Sequence, residues 1–232
     1  MNESRYLKEN IESNILNINP EPIGIYTLPI EKHLDYKKKI QKLWEIANNE
    51  NIQIFKGEPY TKHMYNAVNQ NIFNAIPELS DLKIDIKNIV LDYISKIGFI
   101  CEDIIVNSAW LNKAEKNSVL GNHSHTNSYV SGNYFVNFNS DGHTPLMFVN
   151  DRGRNNSDMR QSISLKENTS KKTFYNIDSL SLKANEGDII IWRSHMRHGY
   201  STPNKKNERM TLSFNTMPKT LNTGTYTFSV SE

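Results

Sequence analysis

Two histidines separated by one residue, His123 and His125, stand in the segment GNHSH. In an extended strand the residues i and i+2 point to the same face, so both imidazoles can reach one metal ion. A third histidine, His198, lies just past the strand-like segment DIIIWR. An H-x-H pair also arises by chance, and a single histidine is more often a surface or core residue. The spacing nevertheless makes these three histidines candidate ligands of one metal ion.

An arginine and a threonine further along the chain point to a second ligand. Arg209 and Thr211 in ERMTLSFNT alternate with apolar residues, so they share one face of a predicted strand. An arginine that faces the interior of a β structure needs an anionic partner, because a buried guanidinium without one is costly. A planar fork beside a hydroxyl suits the carboxylate of a bound ligand.

Two predicted helices precede the segments that carry these residues. Residues 1–22 are polar and form a predicted N-terminal arm, and residues 23–232 have the length of one domain. Within this domain, apolar residues recur at helical spacing over residues 35–49 and 81–97. Gly98 is placed to end the second helix. We expect both helices to cover the outside of a sheet.

The apolar period changes to two residues after Gly98, which predicts strands. A first strand is predicted earlier, at residues 23–30, and the later strands are predicted at residues 105–111, 129–138, 146–149, 179–184, 188–193, 209–216 and 225–230. A jelly roll, or double-stranded β-helix, is the economical fold for such a set, because two Greek keys leave few open edges. The polar segment 150–172 is either a surface loop or an active-site lid. The large aromatic residues expected in the core are Trp110, Trp192 and Phe214.

The composition excludes several classes of protein. The formal net charge of +2 at pH 7 is too nearly balanced for a dedicated nucleic-acid binder. The single cysteine, Cys101, excludes an internal disulfide and a cysteine-based zinc cage, which fits a reducing cytoplasm. No apolar run approaches the roughly 18 residues of a membrane span. We therefore expect a cytoplasmic protein that binds neither membrane nor nucleic acid, with a homodimer as one oligomeric state open to it.

Taken together, these segments resemble a known family. The fragments WLN, GNHSH and SGNYFV, followed by EGDIIIWRSHMRH and ERMTLSFN, are similar to the Fe(II)/2-oxoglutarate-dependent oxygenases of double-stranded β-helix fold. The narrower likeness is to members of bacterial and bacteriophage type that carry H-x-H, S-G-x-Y-Y, a distal histidine and E-R-x-S-x-S-F-N. The resemblance covers about residues 23–217. If a phage encodes the chain, the expected location is the host cytoplasm.

The resemblance implies roles for individual residues. His123 and His198 match the two imidazole ligands of the superfamily's iron, and Arg209 and Thr211 match the pair that binds the distal carboxylate of 2-oxoglutarate. Tyr134, which is expected to face the same interior, adds a phenolic hydrogen bond to this cosubstrate site.

The third metal ligand has two candidates. His125 stands where most members of the superfamily have Asp or Glu, the carboxylate of a triad of two histidines and one carboxylate. We expect His125 to bind the metal, because its spacing places it beside His123. In the alternative, Asp141 or Asp151 supplies a carboxylate and His125 lies behind it.

The function implied is that of an Fe(II)- and 2-oxoglutarate-dependent dioxygenase. Such an enzyme uses O2 as a further cosubstrate, releases succinate and CO2, and usually hydroxylates its substrate, here a small molecule or a peptidyl side chain. One alternative is a non-catalytic jelly-roll module that binds zinc or nickel, or no metal, and recognises a ligand. Another is a cupin-type dioxygenase with three histidines that acts without 2-oxoglutarate. Arg209 distinguishes them, because neither alternative explains a basic residue and a hydroxyl paired on the inner face.

Overall fold

The computed structural model of the protein describes residues 21–46, 52–149, 170–171, 173, 177–222 and 224–230. The predicted arm, residues 1–22, and the predicted lid segment, residues 150–172, therefore lie almost entirely outside the described residues. The division of the chain into an arm and one domain stays a prediction.

Two α-helices, α1 (Ile30–Ile46) and α2 (Ser80–Lys96), confirm the two predicted helical segments. Helix α1 begins earlier than expected, because Pro29 directly precedes it and the Pro29 carbonyl accepts a hydrogen bond from the His33 N–H at 2.9 Å. Helix α2 ends where predicted. Gly98 adopts a φ of +90° there, a left-handed conformation that favours glycine.

The described residues also contain thirteen strands. In chain order they are β1 (Ile23–Thr27), β2 (Ile52–Lys56), β3 (Thr61–Asn66), β4 (Ile104–Ala114), β5 (Leu120–His123), β6 (Val130–Asn137), β7 (Met147–Val149), β8 (Ser179–Ser181), β9 (Asp188–Arg193), β10 (His198–Tyr200), β11 (Arg209–Pro218), β12 (Thr220–Asn222) and β13 (Thr227–Ser229). The hairpin of β2 and β3 was not predicted from the sequence.

The strands form three sheets, in which every pair of neighbours is antiparallel. The main sheet has seven strands in the order β1-β9-β6-β11-β4-β3-β2. The second sheet has four strands in the order β5-β10-β7-β8, and β12 pairs with β13 alone. The predicted last strand therefore belongs to a separate hairpin, outside the two larger sheets.

Two hydrophobic cores arrange these elements in layers. The larger core joins α1 and α2 to the outer face of the main sheet and includes Ile40, Leu82 and Leu212. The smaller core lies between the two larger sheets and includes Phe148 and Trp192. Because successive strand residues point to opposite faces, each central strand of the main sheet serves both layers.

Tyr134 faces the helices, and the expectation that it faces the interior site is wrong. On β6, Tyr134 belongs to the larger core, whereas Phe135 belongs to the core between the sheets. The Tyr134 hydroxyl lies 2.7 Å from Nδ1 of the buried His33, and Nε2 of His33 lies 3.1 Å from Oε1 of Glu186. Because a carboxylate only accepts, Nε2 carries the hydrogen in the neutral ring, and the hydroxyl donates to Nδ1. Tyr134 therefore anchors α1 to the sheet and is not available to a cosubstrate.

Replacing Tyr134 with phenylalanine should destabilise the fold and leave the site intact. Tyr134→Phe leaves Nδ1 of His33 buried without its donor, so we expect the free energy of unfolding to fall by about 1–2 kcal/mol. Urea unfolding measures this change. Tyr36→Phe, which removes a hydroxyl bonded to the less buried Asp85, is the matched control and should cost less. Unchanged stability together with weaker 2-oxoglutarate binding would return Tyr134 to the site.

Candidate functional site

Three imidazoles converge between the two larger sheets. Strands β5 and β10 are antiparallel neighbours, and His123 lies directly opposite His198. His125 follows β5, and its backbone N–H donates to the carbonyl of Ser194 at 2.9 Å. The ligand nitrogens of the three histidines all lie within 4.8 Å of one another. Metal–nitrogen bonds are about 2.1 Å long, so this group could hold one ion with small side-chain adjustments.

Two of the rings have their tautomer fixed by the backbone. Nδ1 of His123 lies 2.9 Å from the carbonyl oxygen of Gly121, and Nδ1 of His198 lies 2.9 Å from that of Met196. A carbonyl oxygen only accepts hydrogen bonds, so Nδ1 carries the hydrogen in both rings. The lone pair is thereby left on Nε2, and such a bond is the usual support of a metal-binding histidine.

Burial keeps two of the imidazoles uncharged. The His198 side chain lies against the rings of Trp192 and Phe148, and burial lowers its pKa to about 3. Burial, followed by the effect of the neighbouring His123, lowers the pKa of His125 to about 4. Both rings therefore offer a free lone pair at neutral pH, as a metal ligand must.

These two shifts predict how the metal-free protein responds to acid. A histidine in the unfolded chain has a pKa of about 6.5. Below that pH these histidines are protonated in the unfolded chain but stay unprotonated in the folded site, which favours unfolding. The stability present above about pH 6.5 should be lost as the pH falls toward the folded-state pKa of about 4 for His125.

We expect the melting temperature of the metal-free protein, held in chelator, to fall less steeply with acid in His125→Gln than in the wild type. Thermal denaturation at a series of pH values measures the two slopes. Parallel slopes would show that His125 is no more buried in the folded state than in the unfolded chain.

The structure does not bring the alternative third ligand Asp141 to the three histidines. Asp141 is exposed in a turn, where its backbone N–H donates to Asn139, and its proposed role as the third ligand is wrong. Within the residues that the structure describes, the three histidines are the group of ligand-type side chains that could hold a metal. Asp151 lies outside the described residues.

Arg209 faces the interior, as predicted from the sequence. It is 2% exposed, and its Nε donates to the carbonyl of Thr144 at 3.2 Å. The rings that surround its guanidinium carbon are Tyr200 at 4.6 Å and Phe135 and Phe138 at 5.7 Å each. Nη2 is buried and has no hydrogen-bond partner in the described part of the chain. Burial also lowers the pKa of Arg209, so the position favours an anionic ligand.

Thr211 lies on the same face of β11 as Arg209. Its hydroxyl accepts a hydrogen bond from Nδ2 of Asn112 at 3.2 Å. Further along this face, Ser213 and Asn215 line a cleft of about 580 Å³ that also contains the three histidines. Arg209 and Thr211 themselves are not among the described residues that line the cleft.

The cleft also contains residues that the sequence did not single out. His63 and Tyr65 on β3 line it, and so does Trp110, which was expected in the core and is half-buried. Trp192 and Phe214 are buried as expected. The alternation that predicts a strand is present in TKHMYN. His63 and Tyr65 lie on one face, and Met64 between them is fully buried on the other.

Comparisons with known proteins give one family match. Residues 108–215 match a family model described as "Putative 2OG-Fe(II) oxygenase". No curated protein sequence matches the chain. Helices able to cross a membrane are not found in the described part of the chain.

Several solved structures share the fold. HygX from Streptomyces hygroscopicus, with nickel, 2-oxoglutarate and hygromycin B bound, is 11% identical with a TM-score of 0.54, over 84% of this chain and 82% of HygX. The non-heme alpha ketoglutarate dependent epimerase SnoN from nogalamycin biosynthesis is 9% identical with a TM-score of 0.62, over 86% and 77%. A Pseudomonas putida prolyl-4-hydroxylase is 9% identical with a TM-score of 0.54, over 84% and 92%.

The antiparallel sheets confirm the predicted fold class, a mainly β jelly roll with flanking helices. The family match over residues 108–215 and the shared fold show that the chain is similar to the 2OG-Fe(II) oxygenases. The activities of the similar structures differ, so the reaction and the substrate have to be argued from the residues of this chain.

Proposed function

We propose that this protein is an Fe(II)- and 2-oxoglutarate-dependent dioxygenase that hydroxylates a small-molecule or peptidyl substrate and releases succinate and CO2. The observation that carries the proposal is the convergence of three imidazole ligand atoms within 4.8 Å inside the jelly roll. The match of residues 108–215 to the family model supports the same cofactors.

His123, His125 and His198 would hold the iron. Neutral imidazoles leave the full charge of Fe(II) in place, whereas a carboxylate ligand would cancel one unit of it. A site of this kind attracts a dianion such as 2-oxoglutarate more strongly than the usual triad does. HygX, which shares the fold, was crystallised with nickel and 2-oxoglutarate bound.

Arg209 and Thr211 would hold the distal carboxylate of 2-oxoglutarate. The buried Nη2 of Arg209 needs an acceptor, and a carboxylate supplies one in the plane of the guanidinium. The Thr211 hydroxyl already accepts from Asn112, so its hydrogen can be donated to the ligand. The donor set therefore fits the cosubstrate.

The chain's own residues would orient the reactants and exclude water. When bound, iron and 2-oxoglutarate supply the activation of O2 for the oxidation of a C–H bond. The carbonyls of Gly121 and Met196 fix the imidazoles, and the ring of Trp192, centred 4.5 Å from that of His198, shields one side of the site. Such orientation and shielding are the protein's part in cofactor chemistry.

Loss of any one of the three histidines should weaken metal binding. Alanine at position 123, 125 or 198 removes a metal ligand, so we expect the Fe(II) affinity to fall at least about tenfold. His125→Asp should retain the metal, because it restores a carboxylate triad. The visible charge-transfer band of the anaerobic complex with 2-oxoglutarate measures binding. His195→Ala, at an exposed histidine outside the cluster, is the control. If His125→Ala binds Fe(II) as tightly as the wild type, the third metal ligand is a carboxylate such as that of Asp151 and not His125.

Loss of the buried guanidinium should weaken cosubstrate binding and spare the fold. Arg209→Met removes a charge-assisted hydrogen bond, so we expect the dissociation constant of 2-oxoglutarate to rise roughly tenfold or more. The stability of the ligand-free protein should not fall, because an unpaired buried charge is also removed. Thermal shift with and without 2-oxoglutarate measures both effects.

Arg193→Met is the matched control, because the Arg193 guanidinium lies over Tyr129 at 4.5 Å and not among the rings around Arg209. If 2-oxoglutarate changes neither the metal spectrum nor the melting temperature of the wild type, the protein is a metal-binding module or a dioxygenase that works without this cosubstrate.

A further inference from the structure

A pair of stacked aromatic rings lies beside the three histidines. Tyr65 on β3 and Trp110 on β4 stack with ring centroids 5.9 Å apart and planes inclined by 22°. Both rings line the cleft and are half-buried. The Trp110 ring lies 6.0 Å from the ring of His125, in an edge-to-face arrangement. The electron-rich face of an aromatic ring attracts C–H groups, so a saturated ring lying here would stand next to the metal ligands.

A chain of hydrogen bonds crosses the cleft floor in one direction. Nδ1 of His63 lies 2.6 Å from Oδ1 of Asn112, and Nδ2 of Asn112 donates to the hydroxyl of Ser213 at 2.8 Å. The Ser213 hydroxyl donates in turn to Oδ1 of Asn133 at 2.6 Å. The chain spans four neighbouring strands, β3, β4, β11 and β6. Each group donates to the next, so the chain starts at an imidazole and ends at a carboxamide.

The residues at the two ends of this chain, His63 and Asn133, both line the cleft. Asn133 is 9% exposed and lines the cleft, and its Nδ2 donates to no other residue of the described parts. Because Nδ1 of His63 donates to Asn112, Nε2 is the acceptor of its neutral form, and the Glu58 carboxylate lies 4.0 Å from it. One end of the chain therefore offers a donor and the other an acceptor, and a hydroxyl group can satisfy either.

The charge and size of the cleft restrict the ligand further. Of the described residues that line it, none is a lysine or arginine, and Glu58 is the carboxylate. A phosphate or carboxylate group would therefore find no side-chain counter-ion on this wall. The volume of about 580 Å³ is typical of a small-molecule site, for which roughly 300–1,000 Å³ is usual.

From these features we infer that the substrate is an uncharged, polyhydroxylated ring of the sugar type. Its apolar face packs against the pair of Tyr65 and Trp110, one of its hydroxyl oxygens accepts from Asn133, and another hydroxyl donates to His63. This inference rests on the proposed function, because the neighbouring metal centre is what would oxidise the ring.

Ligand-detected saturation-transfer NMR on the protein loaded with Ni(II) and 2-oxoglutarate tests the inference. The probes are methyl glycosides of glucose, galactose, mannose and rhamnose, together with glucose 6-phosphate and glucosamine. We expect at least one methyl glycoside to bind, and to bind more tightly than the phosphate and the amine. Binding of Ni(II) and 2-oxoglutarate without any glycoside, or tighter binding of the phosphate, would overturn the inference and leave the proposed function standing. Failure to bind 2-oxoglutarate at all would instead remove the proposed function.

Variants of the cleft wall separate stacking from hydrogen bonding. Tyr65→Leu should weaken glycoside binding about threefold to tenfold, whereas Tyr65→Phe keeps the aromatic face and should keep the affinity. Asn133→Leu should also weaken it, and 2-oxoglutarate should still raise the melting temperature of all three variants. Phe228→Leu, at an exposed aromatic residue of the C-terminal hairpin, is the control.

Glu58→Gln tests whether the ligand is uncharged. Unchanged glycoside affinity in this variant supports the inference. A tenfold loss of affinity would show that the carboxylate pairs with a cationic ligand, and would overturn it. Equal loss of 2-oxoglutarate binding in Asn133→Leu would likewise overturn the assignment of Asn133 to the substrate.

Discussion

The site depends on the close pairing of two short strands, β5 and β10. This pairing sets His123 directly across from His198, and each ring donates from Nδ1 to the carbonyl two residues before it in its own chain segment. Local backbone geometry thus orients each ring, and the cross-strand register brings the two rings together. A side chain at Gly199 would prevent the approach, because its Cβ would lie 2.7 Å from the Leu120 carbonyl oxygen.

Two groups of atoms inside the fold lack the ligands that would complete them. The ligand nitrogens of His123, His125 and His198 lie within 4.8 Å of one another, and a metal ion would complete this group. Nη2 of Arg209 is a donor without a partner in the described residues. Folded proteins rarely leave a buried polar atom unsatisfied, since each one opposes folding, so the position of Arg209 indicates that function and not stability determines it.

The sequence predicted the features that depend on local spacing. It did not predict the features that depend on how distant strands pair. The H-x-H pair, the R-x-T face of β11 and the two helices follow from the periods of strands and helices. The direction of Tyr134 does not, because β6 is buried on both faces and apolar alternation cannot show which face meets the helices. Its polar residues, Ser131 and Asn133, would have been the better guide to the cleft side, since both line it.

The hairpin of β2 and β3 was missed for a related reason. It lies at the edge of the main sheet, and β2 is largely exposed, so its sequence carries little apolar alternation. The hairpin nevertheless supplies His63 and Tyr65 to the cleft. Their contribution depends on pairing with β4, which sets His63 directly across from Asn112. Such pairing is a tertiary contact that no local pattern in the sequence specifies.

The inner face of the main sheet is apolar at one end of its strands and polar at the other. The apolar end contributes packing, and the polar end lines the cleft. At one end Phe135 on β6 and Ile190 on β9 pack into the core between the sheets. Along β6 in the other direction, Asn133 and Ser131 turn the same face into a polar cleft floor. Central strands have hydrogen-bonded neighbours on both sides, so their backbones hold these side chains more rigidly than loops would. A polar floor built on the centre of the sheet can therefore stay ordered beside a metal centre while the apolar end supplies the packing that keeps the two sheets together.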